Sequence, residues 1–407
     1  MVPFDEELGV ADRERTIAVD RAIVLLGSEM PFQPARGVLE ELTGISVSDK
    51  TVQEVTEAAG REAMAMLGGE VEAAKTAKLE PAGGVLDWRR DALEPLYIEP
   101  DGSMVPMRPE DRPDQKPSEE HPGTHREAKM AVIFRGSDVI NVSEKRREVR
   151  RKTYVATIGG VQEFRDKLWA ATMSVTGARR FQPVILGDGA EWITNLTEDL
   201  FPDAIRIVDI FHPLERIHEV ARLRYGSKPA RACSKEPEDG LNIAKSDGVP
   251  ETPEAGQADR LTEGGSKIVA LSPSPNAHPG RAWARLQKER LKASDIDVVL
   301  AELEAVSHEE PFKKGDRQTL REKCQETIEY IKKRRAYMDY ATYLAKGLMI
   351  GSGIIESSHK RVIGQRLKQA GMHWSLDGAN AMVHLRALHL SDGPGWDRLW
   401  ERLAAAG

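Results

Sequence analysis

The stretch QPVILGDGAEWITNLTEDLFPDAIRIVDIF (182–211) decides the fold class. Val184, Ile185 and Leu186 form a short apolar run that stops at Gly187-Asp188-Gly189. A helical stretch, AEWITNLTEDLFP, follows, and a second β-branched run, Ile205 to Val208, ends on Asp209. Branched apolar runs of this length read as buried strands, and the end of a buried strand is where an open α/β sheet places its ligands. An ionised carboxylate there is costly unless something compensates it, which makes Asp188 a candidate site residue. The alternative is plain: Asp-Gly is also an ordinary turn signal.

Upstream, the segments LYIE, SMVPM, EAKMAVIF and REVRRKTYVATI have strand length and composition, and VQEFRDKLWAATMSVTG (161–177) reads as a helix. Three strands, helix, strand, helix, strand is the element order of an RNase H-like fold. Residues 109–125, rich in Pro, Asp, Glu and Gly, read as a surface loop interrupting the first hairpin. Before the strands, 1–80 reads as helical, with 81–93 as a linker marked by Pro81 and Gly83-Gly84. Within 35–67 a helix, a break at Gly44 and a second helix near Ser48 give the outline of a helix-turn-helix, equally that of a generic helical hairpin. After HPLERIHEVARLRYG, residues 227–280 are Pro-, Ser-, Gly- and Asp-rich without apolar periodicity and are expected to be a disordered insert. Helices resume over 281–345, and 346–407 reads as a final helical block. The core's first part is thus expected over 94–226.

The 407 residues carry 58 Lys and Arg against 65 Asp and Glu, a net charge of −7 that gives no global pull toward nucleic acid. Basic residues nevertheless cluster at 143–152, 331–337 and 360–369, and phosphate contacts are local. Two cysteines, Cys233 and Cys324, are too few for a disulfide framework or a zinc site. With no 18-residue apolar run and no signal segment, no membrane is expected and the location is expected to be cytoplasmic, nucleoid-associated when bound to DNA.

Two further acids match Asp188. Asp101, in YIEPDGSMVPM, follows an apolar run and precedes Gly102, and is expected at a strand end. Glu356 lies in GSGIIESSHKRVIGQRLK; with 351–370 as one helix, it shares a mostly apolar face with Lys360, Ile363, Leu367 and Ala370. Three carboxylates are hard oxygen donors suited to Mg²⁺ or Mn²⁺, the ions of metal-assisted phosphoryl transfer. Arg361, Arg366 and Lys368 fall on other faces, suited with Lys360 to a DNA backbone. Asp209 is either a helix N-cap or a group that tunes the site or holds His212, and Trp374 is either a DNA-stacking or a core aromatic.

YIEPDGSMVPMRPE, LGDGAEWITNLTEDLFPDAIRIVDIFHPLERI and IGSGIIESSHKRVIGQRLKQAGMHWS together resemble bacterial insertion-sequence DDE transposases, nearest the Kra group, with Mutator-like relatives. The resemblance spans about 35–225 and 281–400. It implies an α/β, RNase H-like catalytic core interrupted by an all-helical insertion domain, with Asp101, Asp188 and Glu356 as catalytic metal ligands. It also implies a supporting role for Asp209 and His212 as a (C/D)xxH motif, and Mg²⁺-dependent cleavage and strand transfer. The partners would be double-stranded DNA (terminal inverted repeats and target) and further copies of the chain on that DNA. The competing expectation is a catalytically inactive, decayed or domesticated transposase that acts only as a DNA-binding protein.

Overall fold

The computed structural model describes residues 15–76, 93–112, 124–143, 146–177, 180–226, 278–313 and 315–405. The chain is mixed α/β and divides into two compact units, one holding 1–142, 147–209 and 343–407, the other 143–146 and 210–342. The expected linker up to residue 92 and the expected insert up to residue 277 lie outside the described residues.

The first unit is built on a five-stranded sheet. Its strands are β1 (Pro95–Pro106), β2 (His125–Arg135), β5 (Thr153–Thr157), β6 (Gln182–Gly187) and β7 (Ile205–Val208), in the order β5-β2-β1-β6-β7. β3 (Val139–Ser143) and β4 (Arg146–Val149) make a separate two-stranded ribbon. β5, β2 and β1 are antiparallel, whereas β1, β6 and β7 are parallel, as connections through helices require. The helices α4 (Val161–Thr176) and α5 (Glu191–Leu200) cover one face, where Leu96, Ile98, Ala131, Ile133, Val155 and Ile185 pack on Phe164, Leu168, Ile193 and Leu196.

Three N-terminal helices join this same unit: α1 (Ile17–Glu29), α2 (Phe32–Thr43) and α3 (Asp49–Thr76). Gly44 ends α2 in the left-handed conformation, and Ser48 Oγ accepts the Thr51 N–H at the start of α3, as their sequence positions predict. α3 is part of this packed unit. It runs 28 residues and packs on α4 and on the C-terminal helix α12 (Leu376–Leu390), so closely that a Cβ on Gly60 would lie 2.4 Å from the Ala381 carbonyl oxygen. Its charged residues are mainly acidic (Asp49, Glu54, Glu57, Glu62, Glu70 and Glu72 against Lys50, Arg61 and Lys75), the wrong sign for a phosphate backbone. The last helix, α13 (Gly395–Ala405), packs beside α3 through Leu399 and Trp400.

The second unit is helical: α6 (Phe211–Tyr225), α7 (Pro279–Lys292), α8 (Ile296–Ser307) and α9 (Arg317–Arg334) pack around Ile217, Val220, Trp283, Leu291, Val299, Leu303, Leu320 and Ile331. Arg224 stacks on Trp283 and pairs with Glu309, which ties α6 to α7 and to the end of α8. Two boundaries differ from the sequence expectation. α6 packs with the helical unit, so the division falls after Asp209 rather than after residue 226. α7 begins at Pro279, inside the expected insert, because His278 Nδ1 caps it by accepting the Gly280 N–H. Among the described residues no helix is long and apolar enough to cross a membrane.

Candidate functional site

Strand register assembles the acids. β1 pairs with β6 through Ile98 and Ile185, and that register carried three residues on sets Asp101 level with Asp188. β6 pairs with β7 through Gly187 and Val208, and the next step sets Asp188 level with Asp209, whose N–H donates to the Gly187 carbonyl at 2.8 Å. Side chains alternate along a strand, so with Ile98 in the helix-covered core, Tyr97, Glu99 and Asp101 look to the opposite face. Asp101 is not at a strand end: β1 continues to Pro106, and Asp101 pairs with Met130 of β2. What ends there is the parallel pairing with β6, since the long hairpin with β2 keeps β1 extended after β6 has turned away.

The opposite face is met by α11 (Gly353–His359), which follows α10 (Tyr340–Ala345) and carries Glu356. Three donors tie its approach to the sheet. The Met349 N–H reaches the Tyr97 hydroxyl at 3.2 Å, the Ser352 hydroxyl donates to Asp209, and the Ile355 N–H reaches Glu99 Oε2 at 3.0 Å. Asp209 is therefore a buried acceptor for Ser352, and Ile210 occupies the N-cap position of α6.

The expected single helix over 351–370 does not form. After His359 the chain takes a π-helical turn, Lys360–Gly364, then one α turn, Gln365–Leu367. The wider turn shifts every later residue around the axis. Glu356, Lys360 and Ala370 are exposed, while Ile363 and Leu367 are buried, so the five do not share one apolar face. Arg366 is corrected too. It is 0% exposed, its Nε donates to the Gly27 carbonyl at 2.9 Å, and it stacks on Phe32 and Trp374, so it cannot face a passing DNA backbone. Trp374 is a core residue, its indole N–H bound to the Leu367 carbonyl. Arg361 and Lys368 are exposed as expected, and so is Lys360. His212 sits in the first turn of α6, in the second unit.

The electrostatics mark one acidic neighbourhood. Burial pushes the Glu99 carboxyl well up, the negative charges of Asp209 and Glu356 push it further, and the Ile355 N–H opposes them. His359 Nε2 stands 3.6 Å from Asp101 Oδ2, on a side chain 11% exposed. Burial, then the Lys368 charge, push His359 down to about 4 against an opposing hydrogen bond to the Asp101 backbone, so the ring is neutral at pH 7. Asp188 Oδ1 accepts the Ala190 N–H at 2.8 Å, which fixes its carboxylate at the head of α5. Glu99 and His359 escaped the sequence reading. Glu99 carried a signal, an acid inside the apolar run LYIEP; His359 carried none, because only the fold brings it to Asp101.

The donor set is chemically suited to a hard divalent cation: carboxylate oxygens on one face, with Asp101 39% exposed and Glu356 open to solvent. Among the described residues, no three His, Cys, Asp or Glu side chains stand together as a ready-made metal cluster. No protein-family model matches the chain, and no curated protein matches it.

Proposed function

We propose that this chain is a DDE transposase with an RNase H-like core, cleaving insertion-sequence ends and joining them to target DNA. The observation that carries the reading is the parallel pairing of β1 with β6 up to Ile98 and Ile185, each three residues before Asp101 and Asp188, with α11, which carries Glu356, packed on β1. The sheet order, antiparallel strands first and parallel strands after, supports the RNase H-like core. The helical unit placed in sequence between Asp188 and Glu356 supports the inserted-domain arrangement.

Asp101, Asp188 and Glu356 would hold Mg²⁺ or Mn²⁺, which when bound activates the attacking oxygen and stabilises the leaving one. The chain's own residues do the rest. Ala190 orients the Asp188 carboxylate, Asp209 secures the approach to α11 through Ser352, and neutral His359 borders Asp101. The exposed Lys360, Arg361 and Lys368 are suited to take backbone phosphates beside the acids. The substrates would be double-stranded terminal repeats and target DNA, acted on by several copies of the chain.

The test is Asp188→Asn. Removing one carboxylate charge is expected to lower Mg²⁺-dependent cleavage of element-end DNA by at least about a thousandfold, with DNA affinity within a few-fold of the parent. Undiminished cleavage by the variant would remove Asp188 from the chemistry. DNA binding without cleavage by the parent protein would replace the proposal with a binding-only function.

A further inference from the structure

Glu99 does a job that the three candidate ligands do not. It is 0% exposed in the middle of β1, two residues before Asp101 and on the same face. One carboxyl oxygen accepts the Ile355 N–H; the other is buried with no hydrogen-bond partner among the described residues. A single neutral backbone donor is poor compensation for burying a carboxyl group, and an apolar side chain would fill this interior position at lower cost. Such a residue is stability given up for something else. Ile355 immediately precedes Glu356, and its N–H, in the first turn of α11, is shared between Glu99 Oε2 at 3.0 Å and the Ser352 carbonyl at 2.9 Å.

The neighbouring ties share this geometry. Tyr97 accepts from Met349 and Asp209 from Ser352, so the approach to α11 is held on the sheet by side-chain acceptors at intervals of three residues. Each tie has its own role: Tyr97 and Asp209 secure the approach, and Glu99 is the sheet residue whose side chain reaches the residue next to Glu356. Resting on the reading above, we propose that Glu99 is a positioning residue: its carboxyl group, by binding the Ile355 N–H, sets where Glu356 stands relative to Asp101. Glu99 touches neither metal nor DNA in this account, and acts through α11.

The experiment compares Glu99→Met, of similar volume and without an acceptor, with Glu99→Gln, whose amide oxygen still accepts. Two quantities are measured on the full chain: amide exchange of Ile355 in metal-free protein, and Mn²⁺ affinity by calorimetry. In Glu99→Met the Ser352 carbonyl remains as an acceptor, so Ile355 exchange is expected to rise about fivefold or more, the loss of the stronger part of a shared hydrogen bond, and Mn²⁺ affinity to fall by a similar factor. In Glu99→Gln both are expected to stay within about threefold of the parent, a small fraction of that bond. Unchanged Ile355 exchange in Glu99→Met overturns the proposal, as does faster exchange with undiminished Mn²⁺ affinity. Should Glu99→Met not fold, Glu99→Gln decides alone: exchange as fast as that of an unprotected amide overturns the proposal, and retained protection with retained affinity supports it. A parent protein that binds no Mn²⁺ defeats the transposase reading instead, and the exchange data then judge the hold of Glu99 on Ile355 separately.

Discussion

Arg366 shows how far a residue's role depends on what surrounds it. Its sequence neighbourhood is basic, yet its guanidinium lies between Phe32 and Trp374 and satisfies the Gly27 carbonyl. Arg366→Ala should therefore cost stability, on the order of 3 kcal/mol from the lost hydrogen bond, stacking and packing. Urea denaturation checks this; a stable variant with weakened DNA binding would return Arg366 to the surface. The two Asp-Gly pairs make the same point. Gly189 takes φ +74, so Asp188-Gly189 is the turn that its sequence suggested. Gly102 lies inside β1 opposite Lys129, and a Cβ there would meet the Glu127 carboxylate at 2.1 Å. One dipeptide thus marks a turn in the first case and a crowded strand in the second.

At the scale of elements, the break in the expected helix over 351–370 has an identifiable cause. A π turn leaves carbonyl groups out of the regular helical ladder, and the buried Arg386 on α12 donates to those of Arg361 and Val362. Apolar periodicity around Glu356 could not signal this, because the donor comes from another helix. A second buried network joins α4, β5 and α12: Lys167 Nζ meets His384 Nε2 at 2.7 Å and pairs with Glu163, which accepts from Thr157. The His384 Nδ1–H binds the Asn380 carbonyl, and burial, followed by the Lys167 charge, pushes the ring down to about 4. The folded pKa lies below the unfolded value of about 6.5, so acid favours the unfolded chain. The stability contributed by neutral His384 is complete above pH 6.5, declines as pH falls, and is gone near pH 4. His384→Gln, which keeps an acceptor for Lys167, should flatten the fall in Tm between pH 6.5 and 4; an unchanged acid slope would show that His384 is not its source.

At the scale of the whole molecule, the chain leaves the first unit after Asp209 and returns at Tyr343, whose hydroxyl donates to the Arg206 carbonyl on β7. Exit and return are thus close together within the first unit, as they are where one unit is inserted into another. Replacing 210–342 by a short Gly/Ser linker should leave a soluble first unit with a cooperative thermal transition in far-UV circular dichroism. A chain that aggregates or melts without cooperativity would show that the unit needs its insertion to fold.

The sequence by itself determined the helix-strand-helix-strand order from 161 to 208, because branched apolar runs and helical periodicity are local signals, whereas it split β1 in two, missed β3 and ran β4 and β5 together. It also determined that Asp188 closes a buried strand, since an apolar run stopped by Asp-Gly has few other readings. Only the tertiary structure decided that β1, β6 and β7 run side by side toward Asp101, Asp188 and Asp209, because register is a property of pairs of strands. It likewise decided that Glu99 lies beneath Glu356, that His359 reaches Asp101, and that Arg366 and Trp374 are interior. Those facts depend on elements that meet from opposite ends of the chain, and the burial that sets their charge and exposure exists only once they have met.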